Sequence, residues 1–97
     1  MATYVTLYNF TDQGIRTVKD TVKRAEAAKQ AAAQTGATIK ELYWLQGKYD
    51  VLVVSESPDE TTAMALAVNT AKAGNVSGQT MRAFTATEME KILAKVV

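Results

Sequence analysis

The chain has 97 residues, of which 47% are hydrophobic and 22% are charged, and its formal net charge is +1. This composition is typical of one folded domain, and the near balance of charge argues against a nucleic-acid partner or a membrane-surface partner. Cysteine and histidine are both absent, which excludes disulfides, thiol catalysis and Ser-His-Asp chemistry.

The missing residue types also limit cofactors and location. Without Cys and His the usual ligands of zinc, copper and haem are gone, so we expect no metal and no cofactor. Proton transfer would depend on carboxylates, Tyr or Lys. The longest aliphatic run, residues 51–54, is too short to span a bilayer, and the first residues lack the pattern of a secretory signal. The predicted location is cytoplasmic.

The first part of the chain predicts a strand and a long helical region. Residues 3–10 alternate between an aliphatic side and a mostly aromatic side, which is typical of a strand. Residues 15–34 then carry apolar side chains at steps of three and four, which predicts a helix. A break is expected near Asp20, and Gly36 suits the left-handed position after a helix.

The middle of the chain predicts a hairpin and a second helix. Residues 39–46 and 50–56 have the composition of strands, and Gly47 lies in the short connection between them. Ser57 is predicted to cap the next helix, with Glu60 completing a capping box.

The end of the chain predicts one more strand and one more helix. Residues 76–84 have the composition of a strand, and Thr85 begins a second capping-box pattern. The order β-α-β-β-α-β with an extra C-terminal helix predicts an α+β, ferredoxin-like fold. In this fold an antiparallel sheet carries helices on one face, and residues 1–97 form a single domain.

The sheet face without helices needs a cover of its own. In the predicted register it is half aromatic and half polar, too apolar for water and too polar for a dry core. A second copy laid against it, with a cavity between the two sheets, satisfies both requirements, so we expect a homodimer. The side chains predicted on this face are Tyr4, Thr6, Tyr8, Trp44, Thr80, Arg82 and Phe84.

The predicted hairpin contains the tetrad Gly47-Lys48-Tyr49-Asp50. With it, the chain resembles the GYD-domain family, whose signature is Gly-x-Tyr-Asp. The resemblance implies a dimeric α/β barrel, in which two ferredoxin-like sheets pack face to face, and it implies no particular activity. Further segments that look like the family are Tyr4-Val5-Thr6-Leu7, Phe10-Thr11-Asp12-Gln13-Gly14-Ile15, Tyr43-Trp44 and Arg82-Ala83-Phe84-Thr85.

The hairpin residues each have a structural and a functional interpretation. Gly47 suits the turn, where positive φ is favourable for glycine. Tyr49 could present its phenol to a ligand or pack at the rim of the barrel. Asp50 could act as a base or a ligand acceptor, or it could accept hydrogen bonds from nearby backbone amides.

A ligand site is predicted between the two sheets of the dimer. Arg82 lies mid-strand among apolar residues and needs a counter-charge, from Asp50, Glu41 or the carboxylate of a ligand. In the ligand-binding hypothesis Arg82 holds an anionic or carbonyl end. Tyr8 and Trp44 contact the apolar remainder, with Tyr49 and Asp50 near the mouth.

Three functions are compatible with these residues. The first is a small-molecule-binding or sensing module for an organic ligand. The second is a cofactor-free enzyme, similar in fold to antibiotic-biosynthesis monooxygenases and muconolactone isomerases, in which Asp50, Tyr8 or Tyr49 would move protons. The third is an interaction module whose sheet face is only a dimer interface.

Overall fold

Four strands and four α-helices follow one another in the predicted order, except that the first predicted helix is divided into two. The computed structural model describes the whole chain, Met1–Val97. The strands are β1 (Ala2–Phe10), β2 (Thr38–Trp44), β3 (Val51–Ser57) and β4 (Val76–Ala83). The helices are α1 (Asp12–Arg16), α2 (Thr21–Thr35), α3 (Glu60–Lys72) and α4 (Ala86–Leu93), and a 3₁₀ turn (Val18–Asp20) joins α1 to α2.

The strands form one antiparallel sheet in the order β2-β3-β1-β4. At its centre Val5 of β1 stands opposite Val54 of β3 on one side and Met81 of β4 on the other. Each β-α-β unit crosses over a strand that belongs to the other unit, which is compatible with the ferredoxin-like arrangement. The predicted α+β class and the antiparallel sheet are therefore confirmed.

Threonine hydroxyls begin the first and the last helix, and the start at Thr85 is the predicted one. The Thr11 hydroxyl accepts a hydrogen bond from the Gly14 amide at 3.1 Å and begins α1. At α4 the Thr85 hydroxyl accepts from the Glu88 amide at 3.2 Å, and the Glu88 carboxylate accepts from the Thr85 amide at 3.0 Å. Both halves of the capping box are present, which ties down two free amides of the first turn.

The predicted cap of α3 is wrong. Ser57 is the last residue of β3, where it pairs with Ala2 of β1. Its hydroxyl donates to the Asp59 carbonyl at 2.9 Å. Asp59 is the cap instead, and its carboxylate accepts from the Thr62 amide at 2.7 Å. Because the pairing of β3 with β1 continues through Ser57, the helix begins later than the local pattern indicates.

Both α2 and α3 lie on the same side of the sheet. Along β3 the side chains alternate accordingly, with Val51, Val53, Ser55 and Ser57 buried beneath the helices. The intervening residues point to the opposite side, which we term the open face, and they remain partly exposed. The open face comprises Val5, Leu7, Tyr43, Leu52, Val54 and Met81 at its centre.

The C-terminal helix has an apolar side that remains in solvent. Met89 is 43% exposed and Leu93 is 54% exposed, although both belong to the apolar stripe of α4. The helix makes no extensive contact with the rest of the domain. None of the helices has both the length and the apolar character that crossing a bilayer requires.

Candidate ligand-binding cavity

A cavity of about 320 Å³ lies between the sheet and the two long helices. Its floor is the helix-facing side of all four strands, and its roof is formed by α2 and α3. The volume lies at the lower end of the range for small-molecule sites, roughly 300–1,000 Å³. Most of the 26 residues around it are apolar.

The roof of the cavity is mostly alanine. Ala25 and Ala28 of α2 and Ala63 and Ala67 of α3 all face the sheet across this space. A methyl group reaches only a short way from the helix, whereas Leu or Ile at the same positions would fill the layer to ordinary packing density. The helix sequences therefore leave room that longer aliphatic side chains would occupy.

Two predicted ligand residues, Tyr8 and Trp44, lie in the cavity wall. Trp44 is 44% exposed, and its indole N–H donates to the Thr21 hydroxyl at 3.0 Å, which fixes the ring against the start of α2. Opposite Tyr8 on β4 stands Gly78, where a Cβ would come within 2.5 Å of the Tyr8 ring. The glycine lets the tyrosine ring lie against the strand.

These aromatic side chains lie on the other side of the sheet from the predicted one. The alternation of β1 is as expected, but Tyr4, Thr6, Tyr8, Trp44 and Thr80 face the helices. The open face carries the aliphatic set instead. The larger sheet side chains lie beneath the small alanines of α2 and α3.

A row of hydroxyl groups crosses the floor of the cavity. The Thr6 and Thr80 hydroxyls lie 2.9 Å apart on neighbouring strands. Burial raises the pKa of the Tyr8 hydroxyl above its ordinary value, although hydrogen bonding to Thr70 and Thr6 opposes part of this shift. Tyr8 therefore stays a neutral phenol at physiological pH and serves as a hydrogen-bonding group in an otherwise apolar space.

One charged side chain, Arg24, lies in the cavity wall. Its guanidinium donates to the Thr17 carbonyl at 2.9 Å, to the Thr17 hydroxyl at 2.8 Å and to the Gly14 carbonyl at 3.1 Å. Sequence analysis missed this residue, because an Arg within a run of helix charges looks solvated. The 3₁₀ turn before α2 brings Arg24 back toward the end of β1.

The hairpin aspartate is held by the backbone outside the cavity. The Asp50 carboxylate accepts from the Phe10 amide at 2.9 Å and from the Asn9 side chain at 3.5 Å. The same Asn9 amide group donates to the Lys48 carbonyl at 2.8 Å, and the Asp50 amide donates to the Tyr8 carbonyl at 2.8 Å. Together these bonds join the β2–β3 connection to the end of β1.

The comparison with protein families agrees with the hairpin signature. The sequence model of the GYD domain matches residues 4–93, nearly the whole chain. The chain belongs to the GYD domain family. No curated protein and no solved structure matches it. In this GYD domain the named tetrad supplies a turn at Gly47, with φ of 137°, and the backbone-binding Asp50.

Arg82 of the GYD domain lies outside the cavity, next to α4. Its guanidinium pairs with the Glu88 carboxylate at 2.9 Å, donates to the Thr3 and Ala83 carbonyls and stacks 4.4 Å from the Phe84 ring centroid. The predicted partners, Asp50 and Glu41, are therefore wrong. The capping box already placed Glu88 within reach, so this pair could have been found from the sequence.

The structure separates the predicted site residues into two groups. Tyr8 and Trp44 share the cavity, whereas Tyr49, Asp50 and Arg82 do not line it. Tyr49 lies in the β2–β3 connection, where the Lys48 ammonium is 5.6 Å from its ring centroid. No cluster of three or more His, Cys, Asp or Glu side chains lies within reach of one metal ion.

Proposed function

We propose that this GYD domain binds a small organic molecule in the cavity between its sheet and its helices. The observation that supports this most directly is the alanine roof over an aromatic floor. Water that enters this partly open space meets a mostly apolar wall with few hydrogen-bonding partners. A ligand with an apolar body displaces that water and gains contact with the wall.

The residues of the cavity favour binding over proton-transfer catalysis. The raised pKa keeps Tyr8 protonated, so it suits hydrogen bonding better than the role of a general base. Asp50, the carboxylate considered for catalysis, uses its oxygens to bind the Phe10 amide and the Asn9 side chain away from the cavity. Tyr49 does not line the cavity either. The enzyme alternative therefore has no base positioned at the cavity.

A test of this function fills the cavity from the helix side. In Ala28→Leu the longer side chain enters the space, so binding of the small aromatic probes 4-propylbenzoate and 4-propylbenzamide should be lost while the fold remains. Ala33→Leu places the same side chain on the exposed side of α2 and serves as the matched control. Ligand-observed NMR measures both variants beside the wild type. If neither probe binds the wild type, or if Ala28→Leu binds them equally well, the proposal is wrong.

A second function, assembly with another copy, is supported by a different observation. The chain exposes 6680 Å², whereas a compact monomer of 10.5 kDa exposes about 5,400 Å². Its radius of gyration is 14.6 Å, against about 12.5 Å for a compact chain of this length. The excess area is of the same order as the roughly 800 Å² that each partner buries in a stable interface.

The surface proposed for this assembly is the open face together with α4. Leu52, Val54 and Met81 form an aliphatic patch at the centre of the open face, and a second copy would cover it with the same residues by two-fold symmetry. The apolar side of α4 adds a further unpartnered stripe. Light scattering at micromolar concentration should give about twice 10.5 kDa, and a monomer mass would contradict the proposal.

A further inference from the structure

The cavity wall carries a positive charge and no negative charge. Among its 26 lining residues Arg24 is the only one with a charged side chain, and no carboxylate is present. The rest of the wall consists of aliphatic, aromatic, hydroxyl and amide groups. The cavity is partly open, and its mostly apolar walls screen a charge less than bulk water does.

The charge of Arg24 is not neutralised within the protein. All three of its hydrogen bonds go to neutral oxygens, two from Thr17 and one from Gly14. The ion pairs of the molecule involve other residues, including Arg82 with Glu88. A guanidinium has about five N–H donors in a planar fork, so donors remain for a further acceptor.

We propose that the ligand is an amphipathic carboxylic acid, held by its carboxylate at Arg24 and by its ring against Tyr8 and Trp44. This inference rests on the proposed binding function and assigns the chemical class of the ligand. Hydrogen bonds between a guanidinium and a carboxylate are about twice as strong as those between neutral groups. Aromatic side chains supply large apolar contact for a ring.

Other ligand classes fit the cavity less well. A cationic ligand would meet Arg24 with no carboxylate to balance it. A fully neutral ligand would keep the Arg24 charge uncompensated while it displaced the water that solvates it. The hydroxyls of the floor do not favour a cationic or neutral ligand over an acid, because Thr6 and Thr80 already bond to each other.

The test compares two probes that differ in charge at one end. The acid 4-propylbenzoate and the amide 4-propylbenzamide have similar size, so the wall of the cavity affects both alike. Isothermal titration calorimetry at neutral pH should show the acid binding about tenfold tighter than the amide. In Arg24→Gln this preference should disappear, because the acid loses its counter-charge while the amide keeps its apolar contacts.

Two further variants separate charge from structure. Arg24→Lys keeps the charge without the planar fork, and part of the preference for the acid should remain. Arg16→Gln removes an exposed charge outside the cavity and should leave both affinities unchanged. Equal or tighter binding of the amide to the wild type would overturn the acid class but leave the binding function intact. Failure of both probes to bind would overturn both.

Discussion

On one side of the sheet, two alanine-rich helices lie over Tyr8 and Trp44, of which Trp44 is still 44% exposed, and leave a cavity of about 320 Å³. On the other side, Leu52 and Val54 are only partly covered within a single copy. Both sides carry exposed apolar side chains, but they differ in form. The helix side forms a cavity with polar groups at a few positions, whereas the open face presents a central aliphatic patch.

This difference indicates what each side can accept. A concave space with a few placed polar groups suits a small molecule, since most of the ligand surface can be buried there. An aliphatic patch suits another protein surface of the same kind. The two proposals therefore use separate surfaces of one sheet, and each can be tested without disturbing the other.

The largest effect is expected from a charge on the open face. Leu52→Glu would bury an unpaired carboxylate if a second copy covers this face, at a cost of about 3 kcal/mol or more. The variant should be monomeric by light scattering and should unfold at lower urea concentration. Val68→Glu on the outer side of α3, where Val68 is 51% exposed, is the matched control. If both substitutions cost equally little, the open face is a solvent surface.

A smaller effect is expected at Gly14, where α1 lies against the α3–β4 loop at the end of the cavity. A Cβ at Gly14 would lie 1.9 Å from the Asn75 carbonyl oxygen, so Gly14→Ala must push the α3–β4 loop away. Overpacking of this kind costs about 2 kcal/mol. Both Phe10 and Asn75 line the cavity, so probe affinity should fall together with the melting temperature.

The matched control for Gly14→Ala is Gly36→Ala. Gly36 has φ of 94° and no neighbouring atom within 4 Å of the added Cβ, so only backbone strain, about 1 kcal/mol, is expected there. Its effect on probe affinity should be negligible. If Gly14→Ala melts no lower than Gly36→Ala, the close approach of α1 to the α3–β4 loop is not a constraint on the fold.

The order of elements could be predicted because its signals are local. The alternation along β1, the turn at Gly47 and the capping box at Thr85 each depend on a few adjacent residues. The side of the sheet that the helices cover could not be predicted in the same way. Both sides of β1 are apolar, and the choice depends on Ala28 and Ala67, which are distant in sequence.

The candidate site shows the same division between local and distant signals. Tyr8 and Trp44 are predicted as ligand residues because aromatic side chains on strands are prominent in the sequence, but the predicted site lies between two sheets, on the opposite side from the cavity that they line. Arg24 was missed, because its position depends on the turn that brings Thr17 and Gly14 against the helix. A short polar link between two helical segments does not indicate where the following side chain will point.

A modest effect is expected from the cap of α4. Thr85→Ala removes the hydroxyl that accepts from the Glu88 amide and should cost about 1 kcal/mol of helix stability. If α4 packs on a second copy, this cost should lower the urea midpoint of the whole domain. If α4 is independent in solution, the helix alone should fray and the midpoint should stay where it is. Circular dichroism and light scattering on one sample distinguish the two outcomes.

The smallest effect is a pH dependence at the same helix. The Thr85 amide, and after it the Arg82 guanidinium, hold the pKa of Glu88 well below its ordinary 4.5, at about 2. A carboxyl whose pKa is lowered by folding stabilises the folded state above its unfolded pKa, and the benefit is lost as the pH falls through the folded value. Stability from Glu88 should therefore be complete above about pH 4.5 and absent near pH 2.

Glu88→Gln isolates this contribution, because the glutamine keeps a hydrogen-bonding group but has no charge. The difference in urea midpoint between wild type and Glu88→Gln should be constant above pH 4.5 and should shrink toward zero near pH 2. Other carboxyls titrate in both proteins, so their effects cancel in the difference. Glu90→Gln removes a charge from the same helix without touching the Arg82–Glu88 pair and is the matched control. A flat difference for Glu88→Gln as well would show that the pair does not hold α4 to the rest of the domain.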